Sequence, residues 1–255
     1  MTSKLPLSVI ILARNEEDNI GPCIESCLFA DEILVINDSS TDRTVEIARS
    51  LGAKVIDRSM DGNWGEQQTF GIQSASHDWI FFIDADERVT PKLQSSIEER
   101  VRKNNPACFW IQRENHFAHG KATHGIMRPD WVARLMPKKD SYVEGLVHPK
   151  IVTPYKDARI AGRLIHFPYK SWDHYWGKFN KYTRLSAEKY RENGKQCSFF
   201  RDIILRPIWA FLKVYVFNLG FLDGKLGWIF SVNHYFYTMT KYVRLYALQK
   251  TNGKL

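Results

Sequence analysis

An α/β fold, with a mostly parallel sheet flanked by helices and a helical C-terminal extension, is what this sequence predicts. Three observations predict it. Apolar runs alternate with helix-like segments through about residue 105. The principal runs stop abruptly at polar or acidic loops. From Ser171 onward the chain reads as helix, with aromatic residues recurring at spacings of three and four.

Ser8 to Ala13 is a continuous apolar run, the pattern of a central strand covered on both faces. A polar turn, Asn15 to Asn19, leads into a helix expected from Ile20 to Phe29, with Asn19 as its cap. Glu32 to Ile36 is the second strand. Ser40 or Thr41 is expected to cap a helix from Asp42 to Leu51, which Gly52 stops. Lys54 to Asp57 is a short third strand. A glycine-bounded loop, Gly62 to Gly65, precedes a helix from Glu66 to Ser74. Trp79 to Ile83 is the fourth strand, and Pro91 opens a helix to about Arg102. Further strands are expected at Ala107 to Arg113 and Trp131 to Met136, around a His- and Gly-rich loop from His116 to Asp130. Helices follow at Ser171 to Asn193, Phe200 to Phe217 and Trp228 to Gln249. The expected division is a domain over 1–170 and an extension over 171–255.

With 255 residues, 44% of them apolar, the chain can bury a real core. Its formal charge is +8 and its pI about 9.2, which suits anionic partners: nucleic acid, phospholipid headgroups or phosphorylated glycans. The charge does not choose among them, but no nucleic-acid docking module is evident, so nucleic acid is not an expected partner. Cys23, Cys27, Cys108 and Cys197 read as buried free thiols of a reducing compartment rather than a zinc site. The run Leu7 to Ala13 is too short for a membrane span and lacks a cleavage pattern. The densest apolar window, Ile203 to Phe221, contains Arg206, Pro207 and Lys213. The expectation is a cytoplasmic protein that lies on a membrane surface rather than crossing it.

The chemistry is expected at the strand ends, because ligands of open α/β sheets bind outside the carboxyl ends of the strands. Asp84-x-Asp86 follows the apolar residues Ile80 to Ile83. Paired carboxylates there suit a hard divalent cation that neutralises a diphosphate; a solvated turn is the alternative. Asp38 ends the second strand, where it accepts bonds from a ribose or a base, or caps a turn. Glu16 is a second candidate for nucleotide contact, or a favourable charge at a helix start.

Together the strings Val9–Glu16 (VIILARNE), Glu32–Thr44 (EILVINDSSTDRT) and Asp78–Thr90 (DWIFFIDADERVT) resemble the GT-A glycosyltransferases of family 2. The block Arg113-Glu-Asn-His-Phe-Ala-His-Gly120, with Pro129-Asp130-x-x-x-Arg134-Leu135, resembles a narrower branch. So do Arg206-Pro207 and Gly220-Phe-Leu-Asp-Gly224. That branch moves sugars, often glucose, to the lipopolysaccharide inner core or related surface glycans. The resemblance implies a GT-A fold with a donor-binding half over 1–105 and an acceptor side over 106–170. It implies an inverting transferase with a nucleotide-sugar donor, UDP favoured, a glycolipid acceptor and Mn²⁺ or Mg²⁺. Asp38 would bind uracil or ribose, Asp84 the ribose or the metal surroundings, and Asp86 the metal. Polar groups at Ala13, Asn15 and Glu16 would frame the nucleotide, with Gln67 near the donor pocket.

Inversion needs a base for the acceptor hydroxyl. The branch carries a His-Glu pair where this chain has His148-Pro149. Glu144, four residues earlier, His148 itself and Asp130 are the candidates. His116, His119 and His124 read as acceptor or phosphate contacts in a loop, or as plain surface histidines. The aromatic helices either pack against the catalytic domain or enter a bilayer surface, with Lys and Arg meeting anionic headgroups. Two rivals stay open: a transferase acting on a polyprenyl-phosphate or protein acceptor, and a non-catalytic nucleotide-sugar or glycan-binding protein.

Overall fold

A computed structural model describes residues 4–118, 120–146 and 149–254. The chain begins with alternating strands and helices: β1 (Leu5–Ala13), α1 (Glu17–Glu25), β2 (Ala30–Asn37), α2 (Thr44–Ser50), β3 (Lys54–Asp57), α3 (Trp64–Ser74) and β4 (Trp79–Asp84). Then come β5 (Glu87–Val89), α4 (Pro91–Lys103), β6 (Cys108–Phe117), β7 (Gly120–Ala122), β8 (Asp130–Pro137), the hairpin strands β9 (Tyr142–Glu144) and β10 (Lys150–Val152), and β11 (Asp157–His166). The C-terminal helices are α5 (Trp172–Glu192), α6 (Arg206–Leu212) and α7 (Gly224–Thr251). Wide π-helical turns, Phe199–Leu205 and Lys213–Phe217, flank α6.

The main sheet runs β3-β2-β1-β4-β8-β6-β11-β5. It is parallel from β3 to β4, while β8 runs antiparallel to both β4 and β6. Alternate residues of each central strand enter opposite layers. Val9, Ile11, Val35, Phe81 and Ile83 meet α1, α2 and α4 on one face. Ile10, Leu34, Ile36, Ile80 and Phe82 meet α3 on the other. Burial on both faces is the reason these strands are apolar without alternation. Gly71 lets α3 approach closely, since a Cβ there would meet Ile10 Cγ2 at 2.7 Å.

The helix starts differ from the sequence expectation. α1 begins at Glu17, before Asn19, because the Glu16 carbonyl accepts from the Asn19 and Ile20 amides. At α2 the Asp42 carboxylate, not Ser40 or Thr41, accepts from the Thr44 amide at 3.0 Å. Asn63 caps α3 by accepting from Glu66. The expected loop after His116 instead holds the end of β6, β7 and a 3-10 turn at Gly125–Met127.

Packing divides the chain into two units: residues 1–114 with 130–166, and residues 115–129 with 167–255. In the second unit α5 lies along α7, where Ala187, Ile203, Tyr242 and Leu245 form a small core. The Lys195 ammonium sits 4.0 Å from the Tyr190 ring centre and donates to the Tyr242 hydroxyl at 2.8 Å. His124 pairs with Asp223 at 3.0 Å, and His116 packs edge-on against Phe167. His119 lies outside the described residues. Cys23, Cys27 and Cys108 are buried free thiols, whereas Cys197 is only partly buried.

Candidate active site at the strand ends

Register brings the polar strand ends to one edge. Leu12 of β1 faces Asp84 of β4, Ala13 faces Asn37 of β2, and Asn37 faces Asp57 of β3. A cavity of about 330 Å³ opens there, lined among others by Ala13, Arg14, Glu16, Asp38, Gln67, Asp84, Asp86 and His166. That volume suits a small-molecule ligand.

Asp38 is held from two sides. One carboxylate oxygen accepts from Arg14 at 3.2 Å and the other from the Met60 amide at 2.9 Å. Its own amide donates to the Ala13 carbonyl, tying the second strand end to the first. Asn15 adopts a left-handed backbone, φ 56°, and its side chain accepts from the Thr41 amide at 2.8 Å. It therefore clasps the loop after β2 and is not among the cavity's lining residues. Glu16 lines the cavity and accepts from the Asn19 side chain at 2.8 Å. Gln67, 1% exposed, donates to the Arg58 carbonyl at 2.8 Å and accepts from its guanidinium. Its amide fixes the loop before α3, so its contribution to the cavity wall is positional.

The two acids of the Asp-x-Asp motif have different surroundings. Asp84 pairs with Arg134, and Arg113 lies 3.9 Å away. Glu87, 0% exposed, accepts from the Asp84 amide at 3.0 Å, from Arg134 at 2.8 Å and from Arg113 at 3.4 Å. Burial opposes charge on each of these groups. For Asp84 the Arg134 charge and hydrogen bond outweigh burial and hold its carboxyl below the usual range. For Glu87 burial wins, with repulsion from Asp84 adding to it, and its carboxyl is pushed up. Burial would lower Arg134, but Asp84 and Glu87 overcome it and keep the guanidinium charged.

Asp86 sits apart from that network. No arginine or lysine among the described residues pairs with it, and the imidazole Nε2 of His166 lies 3.5 Å from its carboxylate. Asp86 and His166 together offer one oxygen and one nitrogen donor on the cavity wall. No group of three or more acidic, His or Cys ligands occurs among the described residues. The pair fits a divalent cation that completes its shell with ligand phosphates and water, as magnesium-type sites do. A site made wholly of protein ligands, as structural zinc requires, is not offered by the described residues.

The three base candidates fare differently. Asp130 accepts from the Nε and NH2 groups of Arg113, so its carboxylate is already engaged within the protein. Glu144 is exposed on the β9–β10 hairpin and accepts from the Tyr142 hydroxyl at 3.1 Å. That hairpin is held to the start of α3, since the Gly65 amide donates to the Gly145 carbonyl and the Trp64 amide to the Leu146 carbonyl. Trp64 and Gln67 of α3 line the cavity, which puts the Glu144 hairpin beside one of its walls. His148 lies outside the described residues.

Glu87 and Arg113 were not singled out from the sequence. Their signal was present but diluted: an acid one residue past the motif, and arginines on two strands whose pairing was unknown. The pairing of Arg113 with Asp130, beside Arg134, brings them together.

A mostly parallel sheet with a ligand cavity at its carboxyl edge, walled by Asp86 and His166 as cation-ready donors, has the form of a nucleotide-binding enzyme. The family model for glycosyl transferase family 2 matches residues 8–205, and the chain belongs to that family. It is therefore a glycosyltransferase. It is 30% identical to the lipopolysaccharide core biosynthesis glycosyltransferase LpsC of Rhizobium meliloti, over 98% of this chain and 96% of that one. A 4,4'-diaponeurosporenoate glycosyltransferase of Staphylococcus aureus is 40% identical, but over only 38% of this chain and 28% of its own length. Among solved structures, TarS of S. aureus is similar over 93% of this chain and 81% of its own, at 14% identity and a TM-score of 0.47. A glucosyl-3-phosphoglycerate synthase of Mycobacterium tuberculosis, crystallised with Mn²⁺, UDP-glucose and phosphoglyceric acid, is 24% identical over 45% of each chain, with a TM-score of 0.36.

Proposed function

We propose that this chain transfers a hexose, glucose the first candidate, from a UDP-sugar to a lipopolysaccharide inner-core or related surface-glycan acceptor, inverting the anomeric carbon. The observation that carries the donor half is the pairing of Asp86 with His166 in the same strand-end cavity as Asp38. Full-length similarity to a transferase named for lipopolysaccharide core biosynthesis supports the acceptor half. The reading has the enzyme working in the cytoplasm at the inner face of the membrane, where a lipid-borne acceptor would be met.

Asp38 accepts hydrogen bonds from the uracil or ribose, and its Arg14 and Met60 contacts keep its carboxylate aimed. Asp86 and His166 would hold Mn²⁺ or Mg²⁺, which when bound neutralises charge on the diphosphate leaving group. The Arg134–Asp84–Glu87 network keeps the turn carrying Asp86 rigid, so the donor meets a preorganised wall. Glu144 takes the proton from the attacking acceptor hydroxyl.

The test is a screen of purified protein against UDP-, ADP-, GDP- and CMP-sugars, with and without Mn²⁺. Metal-dependent turnover or hydrolysis of a UDP-sugar is the expected result. Binding without turnover, even with lipopolysaccharide acceptors, would favour a catalytically silent binder. No binding to any nucleotide sugar would overturn the donor assignment.

A further inference from the structure

The helical run Phe199–Phe217 is apolar on two faces. Ile203, Pro207 and Val214 point inward and are buried. Phe200, Ile204, Ile208, Leu212 and Val216, four residues apart, point outward and are exposed, as are Trp209 and Phe217 at 57% and 65%. Exposed apolar surface continues past the run at Leu219, Phe221 and Leu222. Contiguous exposure on this scale marks an interaction site rather than ordinary surface.

The charges in the stretch follow a rule of their own. Residues 199–225 carry four cations and two acids. Both acids are masked. Asp202, 0% exposed, accepts from the Ser198 amide and pairs with Arg201 and Arg206. Asp223 accepts from the Thr123 and His124 amides. Lys213 and Lys225 remain exposed. The surface offered to a partner is therefore aromatic and aliphatic with cations and no open carboxylate, which complements an anionic lipid surface.

The backbone fixes this surface as a bent element. Leu219 takes a left-handed conformation, φ 58°, and α7 departs at 70° from the preceding run. Gly220 and Gly227 allow the turn, since a Cβ on Gly227 would sit 1.8 Å from the Gly220 carbonyl oxygen. No single helix among the described residues is long and apolar enough to cross a membrane, but the bent pair together meets the length and hydropathy of a broken or re-entrant segment.

We propose that the outward face of the Phe199–Phe217 run, with the bend after it, is a wedge that inserts into the acyl-chain layer of an anionic bilayer without spanning it. The proposal deepens the membrane-side reading above and rests on it for its purpose, delivery of the site to a lipid-borne acceptor. It is measured separately, in the absence of any donor.

The full-length protein is mixed with phosphatidylcholine vesicles containing or lacking 30% phosphatidylglycerol, and partitioning is read by sedimentation. The comparison is with the triple variant Phe200→Ser, Trp209→Ser, Phe217→Ser, whose sites are all exposed. At least a tenfold loss of partitioning is expected, with UDP binding and thermal unfolding unchanged. Lipids brominated in their acyl chains should quench part of the wild-type tryptophan emission, and Trp209→Phe should remove that part. This second readout stands if the triple variant misfolds. Equal partitioning of the triple variant, or complete release of the wild type in 0.5 M NaCl, would overturn the wedge. So would a stable wild-type dimer that the triple variant dissolves, because a second copy would then cover the face. Failure of UDP binding with intact vesicle binding would sink the donor reading and leave the wedge standing.

Discussion

The strand-end site and the Phe199–Phe217 run handle polarity in opposite ways. At the site, charged groups are drawn inward and satisfied: Glu87 is fully buried, Arg134 is 7% exposed, and each meets the other. In the helical run the acid is also buried and paired, but apolar side chains are turned outward. The first arrangement spends its polar groups on fixing a wall for a small ligand. The second hides its one acid and leaves an oily surface for something large. Buried charge and exposed hydrophobe are both departures from the ordinary distribution of side chains.

The contrast can be broken at several points. The largest effect should fall on turnover. Glu144→Gln should lower the transfer rate by about two to four orders of magnitude with donor affinity retained; unchanged turnover in single-turnover kinetics would remove Glu144 as the base. Next is Arg134→Met, which strands Asp84 and Glu87 without their main cation. Denaturant unfolding should show a loss of about 3–5 kcal/mol, and a loss below about 1 kcal/mol would mean that Arg113 suffices to neutralise them.

The third effect separates the regions by pH. In the helical unit, burial first, then repulsion from Lys241 and Lys213, pushes the His234 imidazole down to about 4. The unfolded chain takes up that proton near the ordinary value of about 6.5. Between those values the unfolded state binds more protons, so His234 costs no stability above pH 6.5 and about 3 kcal/mol by pH 4. Asp84 has the same sign in a lower window: its contribution is complete above the ordinary carboxylate range and is lost as pH falls through its depressed value. Unfolding curves at steps from pH 7 to 4 should lose less stability in His234→Asn than in the wild type. Parallel losses would rule His234 out as the cause. The smallest effect is on stability at the outward face, where Phe200→Ser should change unfolding by less than about 0.5 kcal/mol. A larger change would show that Phe200 packs against something.

How much the sequence revealed follows the same division. Asp38, Asp84 and Asp86 were legible because doubly buried parallel strands are continuous apolar runs, and their ends are visible as abrupt changes of polarity. Glu87, Arg113 and Arg134 were less so, because their meeting depends on β8 running antiparallel between β4 and β6. Gln67 was expected near the donor pocket and does line the cavity, but its amide is engaged by Arg58, a contact that only the folded path of the loop supplies. Periodicity marked Phe200 to Phe217 as helix but could not orient it, since residues on both faces are apolar. Asn19 failed as a helix cap because the Glu16 backbone started α1 earlier.

The central claim is that Asp86 and His166 bind the donor diphosphate through a divalent cation. Calorimetric titration of UDP into the wild type and into Asp86→Asn, with and without Mn²⁺, tests it most directly. The account predicts that Mn²⁺ tightens UDP binding to the wild type by about a hundredfold, or about 2.7 kcal/mol, and leaves Asp86→Asn unchanged. Equal UDP affinity of the wild type with and without Mn²⁺ would contradict it.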